Sequence, residues 1–295
     1  GGRQMRRLAL ALCLLAGAAS SARAVTCTGG NTYAVPGTYG TITTALAAVP
    51  ATLAGPTCIT IGNNAVYGET VIVRNFINAG SSLTIQAAPG NTPTIQPPAG
   101  STAAFVIAND SVNILGISAS INQSIPFGVL SSSAFVEISS VNINGAGNVY
   151  AAGMSLSSAT WLSYSSVTVG AAHGIVLVGT GHIIIHSTAT VNFNAGYALF
   201  LNGADNASIS LSSFTNFVTT AAYLAAGADF NAIIRSTMIG GFSGANNTPG
   251  GAGLSMAKAS GNSVILSVML GGGGSGNGSG GSFGNDGGQG LYISG

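Results

Sequence analysis

Asp205 and Asp229 stand 24 residues apart in matching contexts, GADNASISLSSFTN (203–216) and GADFNAIIRSTMIG (227–240). Two carboxylates set side by side can divide acid and base work, as in glycoside hydrolysis, where about 5 to 9 Å separates them, or can hold Ca²⁺. Arg235, six residues after Asp229, is the cation nearest the pair in sequence and completes the one plausible centre. A plainer reading competes: Asp after Gly-Ala fills a turn position and accepts backbone hydrogen bonds. One repeat to either side stand Gly181 and Ser260, neither an acid nor a base. Asp205, Asp229 and Arg235 are therefore weak catalytic candidates, and no catalytic, cofactor or metal site is assigned.

Other chemistry-bearing residues give less. His182 and His186 share strand parity, but four residues of strand separate them by about 13 Å, too far for one ion. With His173 they read as solvated or turn-packed. Gly280, Ser282 and Gly284 match G-x-S-x-G, yet a nucleophile elbow needs a strand before it and a helix after it, and both flanks here are glycine-rich. The same tract ends in GNDGG, one imperfect copy of a calcium-binding nonapeptide, where stacked copies are needed. Trp161 begins a strand and is expected in the core, with an exposed position contacting a carbohydrate as the alternative.

The elements that would position these residues repeat. One strand-like motif recurs as VEISSVNI (136–143), LSYSSVTV (162–169), IIHSTATV (184–191), ISLSSFTN (209–216) and IIRSTMIG (233–240). Its hydroxyl residues Ser140, Ser166, Thr188, Ser213 and Thr237 are spaced by 26, 22, 25 and 24. A second motif lies between the copies: GMSLS, GIVLV, ALFLN, AYLAA, GLSMA and GLYIS. Both alternate with the period of two that marks a strand with one buried face. A unit of about 24 residues cannot bury its apolar side chains alone, but stacked units can, with like residue above like about 4.8 Å apart. The expectation is an all-β, parallel β-solenoid.

Composition agrees. Only 4% of residues are charged while 46% are hydrophobic, and there are 45 glycines. A Lys or Glu repeated in every coil would stack like charge on like, whereas Gly permits tight corners and Ser or Asn can pair along the axis. Ahead of the coils, Ile42, Leu46 and Val49 of YGTITTALAAVP (39–50) form an amphipathic helix stopped by Pro50, suited to covering the open end of the first coil; an unrelated surface helix is the alternative.

Arg6 and Arg7, the apolar run Leu8–Ala19 and Ala22-Arg23-Ala24 form an export signal ending at Ala24, too short to span a bilayer. Its removal leaves three cations against six acids, a net charge of −3, which excludes a basic face for nucleic acid. Cys27 and Cys58 remain, an even pair in an exported chain, and read as one disulfide, with two buried free thiols as the alternative. The expected divisions are 1–24 signal, 25–82 cap and first coil, and 83–295 coils. GLYISG stops mid-coil without a polar cap, so a longer surface protein is expected.

The helix followed by ITIGNNAVYGETVIV resembles the N-terminal cap and first coil of pectin-lyase-like right-handed parallel β-helix proteins, pectin methylesterases included. The coils from about 83 onward resemble the degenerate β-helix repeats of large secreted bacterial surface proteins. The resemblance implies a right-handed parallel β-helix and an extracellular, cell-surface or periplasmic location. It also implies a polysaccharide or cell-surface glycan as partner. Polyuronate lyases of this fold use a basic residue with calcium, and the methylesterases two aspartates with an arginine; Asp229-Phe230 lies inside a repeat rather than in a DFIFG context. The expected role is structural or adhesive, with a polysaccharide-active enzyme as the rival.

Overall fold

The computed structural model describes residues 27, 30–145, 147–193, 196–242, 250–273 and 288–294. The expected signal, the Gly280–Gly284 motif and the nonapeptide-like tract lie outside them. Every ladder between named strands is parallel, and the strands fall into three sheets. Sheet A has ten strands, from Asn31–Val35 to Ser263–Ile265. Sheet B has nine, from Val66–Tyr67 to Val268–Leu270, and sheet C nine, from Val71–Val73 to Leu291–Ser294. The chain visits A, B and C in turn and then returns to A one strand along, which makes a right-handed parallel β-helix with one coil per visit.

The period-two pattern becomes an inside and an outside. On sheet A, Val112, Val136, Thr160, His182, Ala207 and Asn231 point inward as one column, and Ile114, Ile138, Leu162, Ile184, Ile209 and Ile233 as the next. Asn113, Glu137, Trp161 and Ile183 stand between them and face out. The inward columns of all three sheets join in one core running the length of the helix. On sheet C a column of small residues, Gly128, Gly153 and Gly174, meets sheet B so closely that a β-carbon would overlap Ile143, Val167 and Ala189; here glycine is required by close approach.

From Leu115 onward, the corner between sheets A and B is two residues long in every coil. Ser140, Tyr164, His186, Leu211, Arg235 and Leu266 occupy it in successive coils, all left-handed, with φ between 47 and 55°. Such a conformation costs a non-glycine residue roughly 1–2 kcal/mol. It is held by the next residue along, because Ser165, Ser187, Ser212, Ser236 and Ser267 form a ladder. Each hydroxyl donates to the carbonyl two residues back, as Ser212 does to Ser210 at 2.7 Å, and accepts the backbone N–H of the serine one coil earlier. At the ladder's start, Ser165 accepts from the Val141 N–H.

This register corrects the repeat alignment. Asn142 pairs with Ser166, and Ser139 with Ser163, so the first motif copy shifts by two residues and Ser140 belongs to the corner column of Tyr164. The likeness of SSV in both copies misled, because the first copy puts Val141 where later copies put the ladder serine.

At the N-terminal end, helix α1 (Ile42–Ala48) packs on the strands Asn31–Val35, Thr57–Ile61 and Val71–Val73 with Ile42, Ala45 and Leu46 buried. Thr41 and Thr44 cap it reciprocally, and the Glu69 carboxylate accepts the N–H groups of Ile42 (2.9 Å) and Thr43 (2.8 Å). A negative charge here also meets the positive end of the helix. A disulfide joins Cys27 to Cys58 on the second strand of sheet A; closing 31 residues is worth about 3–4 kcal/mol if unfolded-chain entropy dominates. No helix among the described residues is long and apolar enough to cross a membrane.

Candidate functional site

The corner between sheets C and A holds Asp205 and Asp229 in consecutive coils. Their oxygens are engaged by the neighbouring coil. The Asp205 carboxylate accepts the Asp229 N–H at 2.8 Å, and the Asp229 carboxylate accepts the Ser260 N–H at 2.5 Å and its hydroxyl at 3.0 Å. Asp110 serves the same corner nearer the N-terminus, accepting the Ala134 N–H at 2.9 Å. Beside this column lies a buried amide stack. Asn231 donates to Ala204 and Asn262 and accepts from Ala207, while Asn262 donates to Ala228. The partner of Asp205 in the preceding coil is Thr180, with Gly181 one residue further on.

Arg235 is not brought to the aspartates. It lies at the opposite end of the strand Ala232–Ile234, in the A–B corner, and six residues of roughly 3.3 Å place it roughly 15–20 Å from Asp229. The histidines also disperse. His186 stacks on Tyr164 in the A–B corner with 5.0 Å between rings. His173 packs with Tyr197, Phe200 and, beyond them, Tyr223 on sheet C, and its Nδ1 accepts the Tyr197 N–H at 3.0 Å. His182 is wholly buried. Its Nε2 lies 3.0 Å from the Val178 carbonyl and its Nδ1 has no partner. Burial pulls the basicity of both His173 and His182 below the ordinary imidazole value. Among the described residues, no three His, Cys, Asp or Glu side chains gather as a metal site.

A shallow concavity lies elsewhere, on the outer face of sheet A. It is an open groove of about 370 Å³, within the range of small-ligand sites. Glu137 and Trp161 are paired residues on adjacent strands, with Asn113 on one side of them and Ile183 on the other. Phe135 forms the rim at the corner, and Ala159 and Gly181 keep that edge low. Trp161 is 45% exposed and Phe135 70%, so the expectation that Trp161 enters the core is overturned. Parity decides this: Thr160 and Leu162 take the two inward positions of the strand, and Trp161 between them must face out.

Glu137 differs from the corner aspartates. Among the described residues its carboxylate has no hydrogen-bond partner, and partial burial beneath its neighbours pushes its pKa above the ordinary 4.5. Phe135 is left-handed, with φ of 54°. The fold imposes that conformation on the corner, where later coils use Gly181, Asn206, Phe230 and Gly261; Phe230 is exposed there too, so what sets Phe135 apart is its place beside Glu137 and Trp161. The sequence held a signal for this site. Asn113, Glu137 and Trp161 are spaced by 24 residues each, the same interval that drew attention to Asp205 and Asp229.

No protein-family model and no curated protein sequence matches the chain. Among solved structures it is similar to "Crystal structure of pectate lyase Pel9A", with a TM-score of 0.57 and 14% sequence identity over 79% of this chain and 69% of that one. At that identity the likeness is one of architecture, and it agrees with the three-sheet parallel coil: the chain is a right-handed parallel β-helix, the fold of that pectate lyase.

Proposed function

We propose that the chain is an exported or surface-displayed β-helix with a structural or adhesive role, which binds a glycan in the sheet A groove. One observation carries the reading. Trp161 is a large aromatic side chain placed facing out on a rigid strand, beside a second exposed ring, Phe135, and a polar pair, Glu137 and Asn113. Sugar rings present apolar C–H faces and a hydroxyl rim, and an exposed aromatic plane with a few fixed polar groups complements both. Export rests on the N-terminal signal and agrees with a fold whose solved neighbour is a pectate lyase. A glycan array probed with the wild-type protein and Trp161→Ala tests the proposal. Saccharide binding that drops at least tenfold in the variant supports it, and equal signals from both proteins refute it.

A polysaccharide-active enzyme is the second reading, favoured by the partly buried carboxyl of Glu137, which has no hydrogen-bond partner among the described residues: burial makes it a weaker acid that keeps its proton to higher pH, as a general acid must. Incubation with neutral and acidic polysaccharides separates the two. Release of reducing or unsaturated ends, abolished by Glu137→Gln, establishes turnover, whereas binding without release establishes the adhesive reading.

A further inference from the structure

We propose that the sheet A groove selects a saccharide bearing a free amine and rejects acidic ones, an inference that rests on the glycan-binding reading and adds the charge of the ligand. The argument is one of complementarity. Among the described residues Glu137 is the only charged side chain lining the groove; Arg74, Arg235 and Lys258 all lie outside it. An approaching carboxylate therefore meets a negative group with no cation to offset it, in a concavity where solvent screening is reduced. An ammonium meets the opposite situation. Trp161 is paired with Glu137 on the adjacent strand, so a cation held at the carboxylate lies beside an exposed aromatic ring that can attract it. Phe135, on the same coil as Glu137 and two residues before it, closes the corner side.

The condition of Glu137 is the second support. A carboxylate used for architecture in this molecule is engaged by the backbone N–H of another segment, as Glu69, Asp110, Asp205 and Asp229 all are. Glu137 has no such partner among the described residues, and its strand neighbours Asn113 and Trp161 are uncharged. An ammonium donor supplies what is missing through a charge-assisted hydrogen bond, while the sugar ring it belongs to lies against the indole.

Calorimetric titration of the purified protein with three tetrasaccharides tests this: a glucosamine oligomer with free amines, its fully N-acetylated form, and a galacturonate oligomer. The expected result is at least tenfold tighter binding of the amine form than the acetylated form, no measurable binding of galacturonate, and a preference that weakens with added salt. Glu137→Gln, a near-isosteric change, should remove the preference while keeping weak binding, and Trp161→Ala should remove binding altogether. If the amine and acetylated oligomers bind equally and Glu137→Gln alters neither, charge selection is overturned and the glycan reading stands. Galacturonate binding as tightly as the amine form overturns it in the same way. If none of the three oligomers binds, and the array shows no difference between wild type and Trp161→Ala, both readings fall.

Discussion

Two sets of acidic side chains occupy the ends and the face of the same sheet. At the C–A corner, Asp205 and Asp229 have the sequence context of a catalytic pair, and each is occupied by the N–H groups of the next coil. On the outer face, Glu137 lies within an ordinary repeat, and no described group satisfies it. The contrast teaches that in a stacked fold a carboxylate's neighbours one coil away decide its role. At a corner the chain turns, its N–H groups lack ladder partners, and a short Asp side chain reaches them. At mid-strand the N–H groups are already paired in the sheet, and a Glu there has only solvent or a ligand to meet.

The comparison can be broken most forcefully at the buried amide beside the aspartates. Asn231→Ala should cost about 3 kcal/mol, because the Ala204 carbonyl and the Ala207 N–H lose their partner in the interior. A chemical denaturation midpoint near that of wild type would show that the corner is not held this way. Asp229→Ala should cost less, about 1–2 kcal/mol, since the site is only half-buried and water can replace part of the loss. Asp229→Asn, which keeps an acceptor oxygen, should recover most of it. If the Asn form is as unstable as the Ala form, the negative charge matters more than the acceptor and the architectural account needs revision. Glu137→Gln should change stability by no more than about 0.5 kcal/mol while altering ligand selection, the reverse of the corner's behaviour.

The smallest effect expected is on pH dependence. His182 and His173 are held below the ordinary imidazole value of 6.5, so the unfolded chain binds more protons than the folded one as the pH falls through that value. Their contribution to stability is therefore present above about 6.5 and lost on acidification toward their folded values. Glu137, held above 4.5, acts in the opposite sense: its contribution is present below 4.5 and lost as the pH rises through its folded value. Thermal melts from pH 7 to pH 5 should show a falling Tm in wild type and a shallower fall in His182→Asn. The same fall in both would remove His182 from the account.

The fold was legible because burial imposes a spacing on the sequence. The 24-residue interval, the strand parity and the cap helix at Ile42, Leu46 and Val49 could all be read without coordinates. Register was less legible. The serines of VEISSVNI align Ser140 with Ser166, and only pairing shows that Asn142 stands there. The groove was harder still. Its members come from four coils: an Asn, a Glu, a Trp and an Ile at the same height of successive strands, with a Phe at the corner. A search for repeated residues finds the scaffold and overlooks a site made of exceptions to the repeat. The parity that places Trp161 outside was nonetheless readable, since Thr160, Trp161 and Leu162 alternate with the strands on either side.

The serine chain of the A–B corner also determines how such a molecule can change length. Ser165, Ser187, Ser212, Ser236 and Ser267 are separated by 22, 25, 24 and 31 residues, yet each link is the same bond. The surplus in the last interval falls between the strands Thr237–Ile239 and Leu254–Ala257. The rod therefore counts in whole coils. Gain or loss of one complete turn preserves every rung, and segments of arbitrary length can be added at the side without disturbing the axis. A lineage carrying this shaft is free to lengthen it by duplication and to vary its flank by insertion, two independent routes of change in one chain.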